Sequence, residues 1–291
     1  MSYISIEMTE TLRLESPAKV NLGLEILDKR EDGYHELRTI FQKISLSDTL
    51  RFSLRKEKGI LIMADHPDLP TGKGNLVYKA VQFMVRESGY QCGIRVEIKK
   101  RIPLGAGLGG GSSNAATTLK ALNQLLHMNL SMKELMRIGV KIGADVPFFF
   151  FEGAAIGSGT GERLKKIELP VLWYVLIYPN FEVSTRWAYQ NFVLTKKPFH
   201  LKLHTFPRTP KGISRILQND LEEVVSEEYP QIGVMKQLIC SAGALGASMT
   251  GSGPTVFGIF QNEGDALQTY KRIKKAVKGE GWTILKAHSI Q

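Results

Sequence analysis

The stretch PLGAGLGGGSSNAA, residues 103–116, decides the fold of this chain. Its glycines allow tight turns and let successive backbone N–H groups converge, because no Cβ stands in the way. The two serines and the Ala/Leu-rich residues after them indicate a helix, whose N-terminus adds a positive dipole end. The serines then either cap this helix or contact phosphate and metal. Such a loop between a strand and a helix predicts an anion cradle, and its natural ligand is a di- or triphosphate.

Three familiar phosphate-binding motifs do not fit this loop. Gly105, Gly107 and Gly110 match G-x-G-x-x-G, but the preceding strand RVEIKKR alternates and carries five charges in seven residues. A dinucleotide fold has a buried, almost continuously apolar strand at that place. Walker A needs a Gly-Lys-Ser/Thr and the protein kinases need an HRD-type loop, and the sequence contains neither. A purely structural turn remains the alternative to a phosphate loop.

The composition is that of a folded globular protein. Of the 291 residues, 43% are hydrophobic and 23% are charged, which argues against the disordered and fibrous classes. The longest apolar runs, such as VLWYVLIY, are too short to span a bilayer, and the N-terminal MSYISIEMTETLRLES has no signal-peptide core. We therefore expect a cytoplasmic protein without a membrane partner.

Charge and cysteine content narrow the possible partners. The formal net charge of +10 favours anionic partners, either nucleic acid or phosphorylated metabolites, and does not choose between them. Cys92 and Cys240 lack C-x-x-C or Cys/His spacing, so neither a disulfide framework nor a structural zinc site is predicted.

Alternating patterns predict antiparallel strands between Thr11 and Leu54. The strand segments are LRLES, VNLGLEIL, LRTIFQKISL and TLRFSL, with turns predicted at KREDGYH and at SD. In the second segment the apolar residues share one face of the strand. Lys19 and Asn21 therefore share the other face.

Helices are predicted on both sides of the glycine segment. Asn75 caps a helix, and GIRVEIKKRI after it reads as a half-exposed strand. One helix follows the glycines, and another begins at the capping box of Ser131 with Glu134 and ends at Gly143. ADVPFFFF then reads as a turn into an apolar strand.

A second domain is predicted from residue 168, which gives domains at 1–167 and 168–291. Its strands are VLWYVLIYP, TVFGIF and WTILKAH. One helix is predicted near 229–242 and another through residues 267–277. GALGASMTGSGP reads as a glycine turn and the basic LTKKPFHLKLHTFPRTPKG as a surface loop.

Several motifs, in this order, resemble those of the GHMP kinases, named after galactokinase, homoserine kinase, mevalonate kinase and phosphomevalonate kinase. The loop has the form P-x-x-x-G-L-G-x-x-S-S-x-A-A. The other segments, between residues 17 and 260, are PAKVNLGLEIL, REDGYH, GNLVYKA, GADVPFF, GTGERL, NDLE with YPQI, and GASMTGSGPTVFGIF. The DGYH segment resembles a motif of one branch of these kinases. That branch phosphorylates a cytidine diphosphate ester of methylerythritol in the non-mevalonate isoprenoid pathway.

The resemblance implies an α+β fold of two domains, an N-terminal mixed-sheet nucleotide-binding domain and a C-terminal ferredoxin-like α+β domain. It implies ATP and Mg²⁺ as cofactors, and transfer of the γ-phosphoryl group to the 2-hydroxyl of the cytidyl substrate. The metal ligand stays open, with the Ser113 hydroxyl as one candidate. The implied ATP-binding residues are Pro103, Leu104, Gly105, Ala106, Gly107, Leu108, Gly109, Gly110, Gly111, Ser112 and Ser113.

The resemblance also assigns the catalytic pair. Asp145 corresponds to the catalytic aspartate and Lys19 to the catalytic lysine. Transfer to an alcohol needs a group that accepts or orients the hydroxyl proton, which a carboxylate supplies, and positive charge near the phosphoryl oxygens. Whether Lys19 acts chiefly on the hydroxyl or on the phosphate stays open.

The implied substrate contacts are Asn21, Tyr34, His35, Thr185 and Tyr189. Tyr34 and His35 match the aromatic and imidazole groups that hold cytosine in this family, since a pyrimidine offers a flat face and a hydrogen-bonding edge. Tyr189 supplies a second aromatic wall with Thr185 nearby, although EVSTRWAY departs from the family pattern, which often has Phe there. Residues 249–254, MTGSGP, either close over the phosphates or substrate or form a packing turn.

Two other protein classes remain as alternatives. A basic RNA-binding protein would explain the charge, and a nicotinamide-dependent oxidoreductase would explain only the three glycines of G-x-G-x-x-G. Neither class explains DGYH or GADVP. We therefore expect a kinase for a small molecule, with no nucleic-acid partner, that works as a monomer or homodimer with its site in a cleft between domains.

Overall fold

A computed structural model describes residues 11–194 and 206–291 of the chain. The N-terminal ten residues and most of the predicted basic surface loop lie outside the described residues. The described chain forms two compact units, the first with residues 11–17, 47–101 and 110–150, and the second with 18–46, 102–109, 151–194 and 206–291. No helix in these described ranges is both long and apolar enough to cross a membrane.

Two long strands, β1 (Thr11–Lys29) and β2 (His35–Arg55), replace the four strands expected before residue 55. The predicted turn at SD is wrong, because Ser47 and Asp48 lie inside β2. The buried Asp48 carboxylate accepts hydrogen bonds from Lys100 Nζ and from the Arg101 backbone N–H, both at 2.7 Å. Because these hydrogen bonds satisfy the buried carboxylate, Asp48 is tolerated inside the strand and the strand continues through it.

In the first unit, β4 (Gly93–Lys99) pairs antiparallel with the second half of β2 and parallel with β3 (Ile60–Ala64). Three helices were predicted here and all three are confirmed: α1 (Leu76–Ser88), α2 (Gly110–Leu125) and α3 (Met132–Ile142). Asn75 caps α1 by accepting the Val77 N–H at 2.8 Å. Ser131 and Glu134 form the predicted capping box of α3.

The apolar strand predicted at VPFFFF is wrong, since Val146–Phe150 form a 3₁₀ helix. All five residues are buried, so the run reflects burial and not an extended backbone. Proline fixes φ near its helical value, which makes Pro147 compatible with this turn. The Phe148 N–H donates to the Asp145 carbonyl at 3.2 Å, so Asp145 directly precedes the 3₁₀ helix.

The second unit contains two groups of strands. In one, the hairpin of β5 (Ala154–Gly159) and β6 (Arg163–Ile167) joins the first half of β2, and β8 (Gln218–Asn219) pairs parallel with β1. The other is an antiparallel sheet in the order β11, β7, β10, β9. Its strands are β7 (Trp173–Tyr178), β9 (Gly246–Met249), β10 (Val256–Phe260) and β11 (Thr283–His288).

The helices of this unit complete a ferredoxin-like arrangement, in agreement with the prediction. They are α4 (Thr185–Asn191), α5 (Pro210–Ser214), α6 (Leu221–Glu228), α7 (Gln231–Ser241) and α8 (Glu263–Ala276). The segment predicted as one glycine turn, GALGASMTGSGP, contains β9 and is corrected in that respect. Its small residues pair with β10, which a turn-based reading of glycine and serine overlooks.

Strand β7 separates two hydrophobic clusters of the second unit. Tyr174 and Leu176 face one cluster, whereas Val175 and Ile177 face the other. The first cluster also contains Ala106 and Leu108 of the glycine segment. The core therefore holds that segment by its apolar side chains.

Candidate active site

The part of the glycine segment that precedes α2 is a tight turn with fixed anchors. Gly105, Gly107 and Gly109 have φ values of 58°, 75° and 69°, a region that L side chains rarely adopt. Between them, Ala106 and Leu108 are buried in the core. The Tyr178 hydroxyl also donates to the Leu104 carbonyl at 2.8 Å. Alternate residues are thus anchored while the glycines turn the backbone.

Helix α2 begins at Gly110, so Gly110, Gly111, Ser112 and Ser113 form its first turn. The N–H groups of a first helical turn have no partner within the helix. The two serines lie inside the helix, which makes the capping alternative wrong. The fully buried Ser113 hydroxyl accepts a hydrogen bond from the Ser16 hydroxyl at 2.8 Å.

Lys19 is a buried lysine that contacts the glycine segment. Its side chain is only 3% exposed, and Nζ donates to the Gly107 carbonyl at 2.8 Å and to Asn21 Oδ1 at 2.5 Å. Nζ also lies 5.7 Å from the centre of the Phe41 ring. The Lys19 backbone N–H donates to the Leu108 carbonyl at 3.0 Å. The prediction that Lys19 and Asn21 share a face is confirmed.

Asn21 is 2% exposed and lies in a network of hydroxyl groups. Its Nδ2 donates to Thr39 Oγ1 at 2.7 Å, and its backbone N–H donates to Thr250 Oγ1 at 3.0 Å. The Thr39 hydroxyl in turn donates to the Gly23 carbonyl at 2.7 Å. Sequence reasoning missed Thr39 and Thr250 as site residues. The only available signal was that Thr250 lies within the second glycine segment.

The second glycine segment, residues 249–254, packs directly on the first. A Cβ on Gly253 would lie 2.1 Å from the Gly107 nitrogen, and a Cβ on Gly107 would lie 2.2 Å from the Thr250 carbonyl oxygen. Asn219 Nδ2 donates to the Met249 and Gly251 carbonyls, each at 2.8 Å. The structure therefore shows the packing turn. Closure over phosphates or substrate stays a prediction.

His35 and Tyr189, two residues of the predicted cytosine site, form an aromatic pair. The ring centroids are 5.2 Å apart with an interplanar angle of 30°. Burial lowers the pKa of His35 below its usual 6.5, and the positive charge of Lys29 lowers it further. The ring is therefore neutral near pH 7, with one N–H donor and one nitrogen acceptor.

The remaining predicted substrate residues occupy different surroundings. Tyr34 has 65% of its surface exposed, so the structure places it in solvent and not in the His35–Tyr189 stack. Thr185 begins α4, and its hydroxyl lies 2.8 Å from the hydroxyl of Ser252, within the second glycine segment. Thr185 therefore links the helix that carries Tyr189 to that segment.

Asp145 belongs to the first unit, between α3 and the 3₁₀ helix. Gly143 ends α3, and its carbonyl accepts the Val146 N–H at 3.1 Å, which closes a turn around Asp145. This turn leaves the aspartate half-buried, directly before the buried 3₁₀ helix.

No cluster of three or more His, Cys, Asp or Glu side chains suited to a metal ion occurs among the described residues. Mg²⁺ in kinases is held mainly by phosphate oxygens and water with one or two protein ligands, so it needs no such cluster. A hydroxyl oxygen such as that of Ser113 is a ligand type that suits this ion.

Comparison with known proteins connects this arrangement to one family. The family model described as GHMP kinases N terminal domain matches residues 75–153, and that described as GHMP kinases C terminal matches 201–279. A relative from Syntrophus aciditrophicus (strain SB), named 4-diphosphocytidyl-2-C-methyl-D-erythritol kinase, is 49% identical over 258 residues, 88% of this chain and 92% of the relative. A protein of the same name from Pelobacter propionicus is 41% identical and covers 97% of this chain and 100% of its own.

Solved structures agree with the sequence comparison. A crystal structure of 4-(cytidine 5'-diphospho)-2C-methyl-D-erythritol kinase matches with a TM-score of 0.78 and 31% identity, covering 96% of this chain and 100% of that one. Homoserine kinase from Cytophaga hutchinsonii matches with a TM-score of 0.73 at 22% identity, covering 99% and 96%, and shows the fold alone. The predicted α+β GHMP kinase fold is confirmed. The chain belongs to the 4-diphosphocytidyl-2-C-methyl-D-erythritol kinase family of the GHMP kinases.

Proposed function

We propose that this chain transfers the γ-phosphoryl group of ATP to the 2-hydroxyl of 4-(cytidine 5'-diphospho)-2-C-methyl-D-erythritol, which yields the 2-phosphate. The observation that carries the proposal is 49% identity, over 88% of the chain, to a kinase named for this substrate. The stacked His35 and Tyr189 support the cytidyl part of the proposal, and the anchored glycine segment supports the phosphate part.

Residues 105–113 bind the ATP phosphates in this proposal. The glycines permit close approach of the backbone, and the free N–H groups of the first turn of α2 favour negative charge. Mg²⁺, when bound, neutralises phosphate charge. Phosphate oxygens would hold it, with the Ser113 hydroxyl as the candidate protein ligand. That hydroxyl keeps a lone pair beside the one that accepts the Ser16 hydrogen bond.

Asp145 and Lys19 perform the proton and charge chemistry in this proposal. The Asp145 carboxylate accepts the proton of the attacking hydroxyl as the new phosphorus–oxygen bond forms and ADP leaves. Lys19 places a fixed positive charge beside the Gly107 carbonyl, where it stabilises negative charge on a phosphoryl oxygen or on the hydroxyl. Because Lys19 is buried and hydrogen-bonded, this charge is preorganised.

The cytosine ring binds beside His35 and Tyr189 in this proposal. Neutral His35 supplies one donor and one acceptor to the edge of the base, and Tyr189 supplies an aromatic face. Tyr34 closes on the opposite face from its exposed position, and Thr185 and Asn21 contact the remainder of the substrate. A cytoplasmic location, a monomeric or homodimeric state and the lack of a nucleic-acid partner remain predictions.

The test is ADP release by the purified chain with ATP and Mg²⁺, with the cytidyl substrate, mevalonate, homoserine or galactose as acceptor. We expect turnover with the cytidyl substrate alone, and a new phosphomonoester in the ³¹P NMR spectrum of the product. Preferred turnover of another acceptor would overturn the substrate assignment.

An Asp145→Asn variant tests the proposed base. Its kcat should fall by roughly 10²–10⁴-fold while its melting temperature stays unchanged, because general base catalysis contributes about that factor. The exposed Asp265, in the first turn of α8, offers Asp265→Asn as a matched control with the activity of the unaltered chain. Turnover retained by Asp145→Asn would exclude Asp145 as the base.

A further inference from the structure

The turn that carries His35 is cross-linked by charged side chains. Arg30 Nε and Nη2 lie 3.1 and 3.0 Å from Asp32 Oδ2, and Asp32 Oδ1 accepts the Tyr34 backbone N–H at 3.1 Å. The Arg30 N–H donates to the Tyr34 carbonyl at 2.8 Å. The hydrogen bond with Asp32 raises the pKa of Arg30, and the same bond lowers the pKa of Asp32. Both groups are therefore charged at neutral pH.

Glu36 extends this cross-link to a second hairpin. Arg30 Nη1 donates to Glu36 Oε2 at 3.2 Å, and the Gly159 backbone N–H donates to Glu36 Oε1 at 3.2 Å. The ladder between β2 and β5 ends at the pair Leu37 and Gly159. The Glu36 carboxylate therefore continues the connection one residue beyond the last backbone pair, next to His35.

The GTGER segment, to which the proposed reaction gives no role, makes Gly159 a fixed donor. Gly159 has φ of 76°, and a Cβ there would lie 2.5 Å from Glu162 Oε1. Glu162 Oε2 accepts the Thr160 backbone N–H at 2.7 Å and the Thr160 hydroxyl at 2.9 Å. These bonds hold the hairpin turn rigid. The Gly159 N–H is thus presented to Glu36 from a defined position.

From this chain of contacts we propose that Glu36 is a positioning residue for the cytidyl end of the substrate. Through Arg30 and Gly159 it holds both sides of the turn, and so holds His35 in its stack with Tyr189. The inference rests on the proposed function, because it concerns how the same site binds its base. Glu36 itself lies beside the base-binding pair and acts through His35.

The size of the effect follows from the exposure of the charged pair. The side chains of Arg30 and Glu36 are 36% and 31% exposed, so solvent weakens their attraction. The bond from the Gly159 N–H to a carboxylate is charge-assisted and stronger than a neutral one. Loss of the charge on Glu36 should therefore weaken binding of the cytidyl substrate by roughly three- to tenfold.

The experiment compares Glu36→Gln with the unaltered chain. Glutamine keeps an oxygen for the Gly159 N–H but removes the charge that Arg30 requires. We expect KM for the cytidyl substrate to rise roughly three- to tenfold, with KM for ATP and kcat unchanged. Glu57→Gln is the matched control, because Glu57 forms a similar pair with Arg55, also at 3.2 Å, in the first unit. It should change neither KM.

A second variant tests the route through Arg30. Arg30→Met should raise the same KM. The double variant Arg30→Met with Glu36→Gln should raise it no further than the larger of the two single effects, because both substitutions remove the same Arg30–Glu36 pair. An unchanged KM in Glu36→Gln, equal changes for both substrates, or additive effects in the double variant would overturn the inference. A chain that does not turn over the cytidyl substrate even when unaltered would overturn the proposed function, and this inference with it.

Discussion

Substitution of Gly253 by alanine tests whether contact between the two glycine segments sets the geometry of the site. The added Cβ would lie 2.1 Å from the Gly107 nitrogen, 2.4 Å from the Ala106 carbonyl carbon and 2.5 Å from the Gly107 Cα. The first of these falls about 1.3 Å short of the 3.4 Å at which ordinary contact begins. All three neighbours are backbone atoms, so no flexible side chain can move aside. One segment must shift by about 1 Å relative to the other.

Two consequences of this shift can be measured. Overpacking of this kind costs about 1–3 kcal/mol, which lowers the melting temperature by roughly 2–12 °C for a chain of this size. The Gly107 carbonyl, which accepts a hydrogen bond from Lys19, moves with its segment. Because a misplacement of about 1 Å in a catalytic site can cost roughly 10²-fold, we expect kcat/KM to fall by about that factor.

The assay is ADP release under varied ATP and cytidyl substrate, together with thermal unfolding. Gly233→Ala is the matched control, since Gly233 lies in α7 with open space where its Cβ would be. That variant should keep full activity and gain up to about 1 kcal/mol of stability from helix propensity. If Gly253→Ala retained the kcat/KM of the unaltered chain, the close packing of the two segments would not control the site, and the reasoning would be refuted.

Three further predictions concern the same unit. KM for the cytidyl substrate should rise as the pH falls through the lowered pKa of His35, because the neutral ring is the form that binds the base. An NMR titration of His35 should have its midpoint below 6.5, and Tyr189→Leu should move it upward. Asn219→Asp keeps the acceptor for the Leu221 N–H but loses both hydrogen bonds to the second glycine segment. The free energy of unfolding, measured by denaturant titration, should therefore fall by about 1–3 kcal/mol. An unchanged midpoint of unfolding would contradict this. Lys19→Met keeps an apolar stem of similar length but removes the ammonium group, so kcat should fall by roughly 10²-fold or more. An unchanged rate of phosphoryl transfer in single-turnover kinetics would exclude a catalytic role for Lys19.

Local signals in the sequence were sufficient for most elements of the fold. The caps at Asn75 and Ser131, and the alternation in β4, depend on residues two to four positions apart, and each was confirmed. The wrong prediction of a strand at VPFFFF has a physical cause. Val146–Phe150 is buried on every side, and a fully buried run has no periodicity that separates a strand from a helical turn.

The glycine segment and the family motifs identified the chemistry from sequence alone, because backbone freedom and residue type are properties of the chain itself. Tertiary structure decided which of these residues meet. Asn21 contacts Thr39 and Thr250, Gly253 packs on Gly107, and His35 stacks on Tyr189.

The sequence carries no local signal of such contacts, because the partners are distant in the chain. Thr39 lies 18 positions and Thr250 lies 229 positions from Asn21. Only the packing of β1, β2 and the ferredoxin-like sheet brings them within hydrogen-bond distance. The sequence by itself therefore determined most of the elements, the tight glycine segment and the family. The folded chain determined the buried network around Lys19 and Asn21, since a buried polar group is tolerated only where distant partners satisfy it.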